Sequence, residues 1–176
     1  MKQFIPIFLL LLFSSFTYVE EANRTLKKIS AEVCKQTGLR AFGSGGAMAC
    51  DVKELDLSFI KKDLVDIDQA RVYYVTTALI ALNTVNANKV LRPYLHNYPF
   101  KLKNFFTLSI HFLDCNSDDP KPPLIARVMN SKDIIEYEIK PKDDPFKFIV
   151  VHQETLEEAI QIVSKESAIN LLRKPK

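Results

Sequence analysis

Residues 124–139 read LIARVMNSKDIIEYEI. Two β-rich runs, 124–129 and 134–139, flank the polar residues Asn130, Ser131, Lys132 and Asp133, a connection of hairpin length. Strands joined so tightly pair antiparallel, because parallel neighbours need a crossover of a dozen or more residues. This hairpin therefore argues against a doubly wound parallel sheet and for an α+β arrangement.

On the N-terminal side of the hairpin, residues 104–113 alternate. Phe106, Leu108, Ile110 and Phe112 are expected to point inward, with Thr107, Ser109 and His111 outward. On the C-terminal side, residues 146–151 read as a further strand. Thr155 with Glu158 three residues on has the form of a capping box, so a terminal helix starts there. Further upstream, Leu55, Leu57 and Phe59 alternate with Glu54, Asp56 and Ser58, marking a strand over residues 52–60. Asp66 and Gln69 form another capping-box pair, predicting a long helix over 67–85 with Val72, Val75, Leu79 and Leu82 as its core stripe. Ala22, Leu26, Ile29 and Val33 mark an earlier helix over 20–37, stopped by Gly38 and followed by apolar Leu39.

The expected fold is α+β: a single domain over residues 20–176, with a mainly antiparallel sheet of four to five strands. A long central helix packs the sheet, with further helices at the N- and C-terminal ends. A helix connects the strands at 52–60 and 104–113, and a helical crossover favours a parallel pair. Cys50 and Cys115 would then lie at opposite ends of that pair, too far apart to bond.

Ahead of the domain, residues 4–13 (FIPIFLLLLF) are an unbroken apolar run after Lys2, before the acidic pair Glu20 and Glu21. Ten apolar residues match the core of an export signal and fall short of the 18 or more that a spanning helix needs. Residues 1–19 are therefore read as a signal peptide, with the mature N-terminus between residues 17 and 22. The expected location is periplasmic or secreted. Membrane association is expected only if the leader stays uncleaved, as in an N-terminally anchored accessory protein.

The chain has 176 residues, 47% of them hydrophobic, enough for one core without a metal or disulfide framework. Its 24 basic residues against 21 acidic ones leave a formal net charge of +3. A nucleic-acid binder gathers a stronger basic excess on one element, so nucleic acid is excluded as the expected partner. Cys34, Cys50 and Cys115 are odd in number, which allows at most one internal disulfide with one thiol left over, and one or more of them are read as small buried apolar residues.

Three of the four glycines fall between Gly43 and Gly46. Gly43, Ser44, Gly45 and Gly46 read as a loop with bare backbone. They do not form a phosphate loop, which follows a strand, opens a helix and carries a Lys-Ser/Thr element. Arg92, Tyr94 and Tyr98 lie in a segment stiffened by Pro93 and Pro99, and Tyr and Arg are the residues that concentrate at recognition surfaces. These seven residues are the candidate binding site. No catalytic constellation, metal-ligand spacing or cofactor motif stands out. The expected function is that of an exported, non-enzymatic binding domain for a protein or small molecule. The alternative is a hydrolase using Cys50 or Cys115 with a histidine brought near by folding.

Overall fold

The computed structural model describes residues 4–142, 144 and 146–172, with side chains described from residue 18 to residue 165, Phe106 excepted. Lys2 and the inward placement of Phe106 lie outside that description.

The chain is α+β. It runs α1 (Phe4–Thr37), β1 (Arg40–Ala47), β2 (Glu54–Lys62), α2 (Ile67–Ala87), β3 (Phe105–Leu113), β4 (Arg127–Ser131), β5 (Ile134–Ile139), β6 (Ile149–Thr155) and α3 (Leu156–Leu172). The six strands form one mixed sheet in sequence order, β1 to β6. The expectation of four to five strands is corrected by the glycine stretch, which is itself a strand. β2 and β3 are parallel, from Leu55 beside Phe105 to Lys62 beside Leu113, and the other neighbours are antiparallel. The helical crossover therefore gives the parallel pair that connection length favours. Cys50 and Cys115 flank its opposite ends, and all three cysteines are free. All three are exposed, which corrects their reading as buried residues. Helix ends, strand junctions and turns hold them away from the apolar stripes.

The hairpin at residues 124–139 is tighter than read. Ser131 pairs with Ile134, leaving only Lys132 and Asp133 in the turn, with Lys132 at φ 58°.

α2 starts where Asp66 and Gln69 cap it reciprocally, but its phase differs from the expected stripe. Its buried residues are Ala70, Arg71, Tyr74, Val75, Thr77, Ala78, Ala81 and Val85, whereas Val72 and Leu79 are exposed. Small side chains face inward because they let the helix lie close to its neighbours, so large apolar residues mark this face poorly. α1 buries Tyr18, Ala22, Leu26, Ile29 and Val33, in the expected phase. Asn88 at the end of α2 donates to Glu21 Oε1 and Thr25 Oγ1, both at 2.8 Å, fixing α1 against α2. Leu55, Leu57 and Phe59 of β2 join the same hydrophobic core, while Asp56 and Ser58 lie half-buried on the opposite face. Among the described residues no helix is long and apolar enough to cross a membrane.

Candidate functional site

Gly43, Ser44, Gly45 and Gly46 occupy the middle of β1 rather than a loop. Gly38, at φ +70°, ends α1 and turns the chain back so that residues 40–47 lie along β2. Once β3 takes one side of β2, the other offers an unpaired row of amides and carbonyls, and pairing with it outweighs the poor strand propensity of glycine. Gly43 sits opposite Ser58 and Gly45 opposite Asp56. At Gly46 a Cβ would lie 2.3 Å from the Glu54 carbonyl oxygen, so no larger residue fits without moving the chain. β1 is an edge strand of the sheet, and its outer rim of backbone polar groups is free of strand partners among the described residues.

The segment that follows α2 is anchored more than displayed. Residues 92–94 make one 3-10 turn. Tyr94 stacks on Tyr18 of α1, with ring centroids 5.1 Å apart. The Tyr18 hydroxyl donates to the Ala49 carbonyl at 3.0 Å, just beyond β1. Val52 N–H donates to the Tyr94 carbonyl at 2.7 Å, and His96 N–H donates to the Val52 carbonyl at 3.0 Å. Tyr94 is thus a packing residue that ties the end of the glycine strand to α1. Arg92 and Tyr98 differ. The guanidinium stands 4.6 Å over the Tyr98 ring, and that ring is 52% exposed. The structure links Tyr94 to the end of β1 through Tyr18, while no described hydrogen bond joins Arg92 or Tyr98 to the glycines.

Among the described residues no hydrogen bond joins a histidine to a cysteine thiol or a serine hydroxyl. His96 Nδ1 lies 2.6 Å from Asp51 Oδ2, His111 packs edge-on against Phe42, and His152 Nε2 lies 3.6 Å from Glu154 Oε2. None of these partners is a thiol or a serine hydroxyl. Among the described residues no group of His, Cys, Asp and Glu is placed to hold a metal ion.

Sequence reasoning missed a buried polar cluster. Arg71 of α2 donates through Nε to Glu154 Oε1 of β6 at 2.7 Å and also pairs with Asp68. The Tyr137 hydroxyl of β5 donates to the same Glu154 oxygen. Burial and the adjacent carboxylate push the Tyr137 phenol far above its ordinary range, so it remains a neutral donor. Glu154 Oε2 and His152 Nε2 are buried without a hydrogen-bond partner and face each other. A cleft of about 340 Å³ runs past this cluster under α3, lined by Arg71, His152, Glu154, Gln161, Ile162 and Lys165. The free carboxylate oxygen is shielded from it, so the cluster clamps α2, β5 and β6 together rather than presenting a reactive group. The one sequence signal for it is a charged residue, Arg71, on a helix face otherwise built of Ala, Tyr, Val and Thr77.

A larger cleft of about 660 Å³ lies between α2 and α3, with Leu82, Phe100, Leu102, Leu156 and Ile160 in its wall.

No protein-family model matches the chain, and neither a curated protein nor a solved structure shows significant similarity to it.

Proposed function

We propose that the chain is an exported, non-enzymatic binding domain that holds an extended segment of a partner protein along β1. One observation carries this reading: the sheet ends in a strand whose centre, Gly43-Ser44-Gly45-Gly46, has almost no side chains between its backbone and an approaching chain. Strand addition draws affinity from main-chain hydrogen bonds, which a bare edge offers without steric obstruction. Proline and charged side chains are the usual guards of an exposed edge. β1 has no proline, and Arg40 at its start is its one charged residue. The exposed Arg92 and Tyr98 supply a second, side-chain contact on the same chain.

Export rests on the apolar run of residues 4–13, which has the length of the core of an export signal. The experiment is affinity capture from the native compartment with the parent protein and with Ser44→Pro. Proline at this exposed position removes an amide from the rim and cannot extend a ladder. The partner recovered by the parent is expected to be lost from the variant while the circular dichroism of the variant stays unchanged. Equal recovery by a folded variant would contradict strand addition at β1.

A further inference from the structure

The sheet face turned away from the core carries an uncompensated charge beside the bare strand. Gly45 pairs with Asp56 and Gly43 with Ser58, and both β2 side chains lie half-buried on that face. A Cβ at Gly45 would stand 3.8 Å from Asp56 Oδ2, and one at Gly43 would stand 3.4 Å from the Ser58 Cβ. With glycine at both positions, β1 places no side chain between these groups and its own outer rim. Asp56 Oδ1 is buried without a hydrogen-bond partner, and among the described residues no ion pair reaches the carboxylate. A half-buried carboxylate in that state is stabilised by a cationic donor from outside the chain. The same face is graded in charge. Glu54, opposite Ala47, adds a second acid at the Asp56 end, while Arg40, opposite Ile60, and Lys62 stand exposed at the other end.

We infer that the partner segment added along β1 carries a lysine or arginine opposite Gly45, whose side chain crosses the glycine to Asp56. The inference rests on strand addition at β1 and names what the added strand must present. Residues directly opposite each other in neighbouring strands project to the same face. The partner residue beside Gly45 therefore points to the face that holds Asp56. Two strand spacings, about 10 Å, separate its α-carbon from that of Asp56. Only a long side chain spans that gap, and the missing side chain of Gly45 leaves its path clear. Charge selects a base. An acidic residue at this position would meet the like charges of Asp56 and Glu54, whereas a basic one supplies the compensation that the chain itself does not. Toward the Arg40 end the gradient reverses and favours an acidic partner residue. Backbone hydrogen bonds along the rim hold an extended chain of any sequence, and Asp56 selects among them.

The test is selection of a displayed library of random nine-residue peptides on the immobilised exported protein, with Asp56→Lys, Asp56→Asn and Ser44→Pro selected in parallel. Peptides retained by the parent are expected to align on one position where Lys and Arg exceed Asp and Glu at least tenfold, with acidic residues enriched to one side of it. Asp56→Lys is expected to enrich Asp and Glu at that position instead. Asp56→Asn is expected to retain peptides but without the basic preference, and it serves as the readout should Asp56→Lys not fold. Ser44→Pro is expected to retain none of them. A parent pool with no fixed basic position, or a basic preference unchanged by Asp56→Asn, would overturn the inference while loss of the pool in Ser44→Pro left strand addition standing. No pool from the parent, or the same pool from folded Ser44→Pro, would overturn strand addition and the inference with it.

Discussion

Arg71 Nε and Glu154 Oε1 lie 2.7 Å apart, joining the first half of α2 to the last strand across 83 residues of chain. Both side chains are buried, and the Tyr137 hydroxyl shares the same carboxylate oxygen. Removing one member of a buried ion pair leaves the other without compensation in a medium of low dielectric. Glu154→Gln keeps the shape and an acceptor for Tyr137, and is expected to cost about 3 kcal/mol. Adding Arg71→Met is expected to cost less than the sum of the single changes, with a coupling of about 1–3 kcal/mol in urea titrations. Additive losses would mean that the pair does not act as a unit.

The phase of α2 gives a second expectation. Leu79 is 37% exposed whereas Ala78 is fully buried against the core. Leu79→Asp is therefore expected to shift the melting midpoint only slightly, within about 1 kcal/mol. Ala78→Asp forces an unpaired carboxylate into the core and is expected to cost several kcal/mol. Equal melting of the two variants would contradict the phase described.

His111 sets a pH dependence. Burial pushes its imidazole below the ordinary histidine value, and the nearby Arg127 and Lys140 push in the same direction against Asp119. Between the folded and unfolded values the unfolded chain binds more protons, so stability rises with pH there and is lost as pH falls through 6.5 and below. His111→Gln is expected to flatten this part of the stability profile. An imidazole midpoint at or above 6.5 by NMR would contradict the placement of His111.

Tyr18 narrows the expected processing site. Its ring stacks on Tyr94 and its hydroxyl bonds the carbonyls beyond β1, so a chain that began after it would lose the tie between α1 and the end of the glycine strand. If the proposed leader is cleaved, the cut is expected to fall ahead of Tyr18 rather than after residue 19, so that within the window of residues 17–22 the processed chain starts no later than Tyr18. N-terminal sequencing of exported material reads this directly, and a start at Val19 or beyond would contradict it. Tyr18→Ala is expected to cost about 3 kcal/mol, the usual range for truncating a buried aromatic side chain.

The elements whose period is carried by large apolar residues were legible. Leu26, Ile29 and Val33 mark the buried face of α1, and Leu55, Leu57 and Phe59 that of β2. Capping pairs were legible for the same reason: Asp66 with Gln69, and Thr155 with Glu158, act within four residues. The glycine strand was not legible, because Gly43, Gly45 and Gly46 have no side-chain period, and the strand exists only because β2 offers it a free edge. The α2 face was misread because alanines carry the close approach. The Arg71, Tyr137 and Glu154 cluster joins three elements that are remote in sequence, so no local spacing announces it. Of the candidate site, the exposure of Arg92 and Tyr98 followed from their loop, while Tyr94 turned inward to meet Tyr18, a partner from the far end of the chain.

The proposed role of β1 is tested most directly by a photo-reactive amino acid at Ser44 in the exported protein, with the same group at exposed Lys27 of α1 as control. Irradiation in the native compartment is expected to give one discrete protein adduct from position 44 and none from position 27, with the cross-linked partner peptide in extended register along β1. Adducts of equal yield from both positions, or none from position 44, would contradict the account.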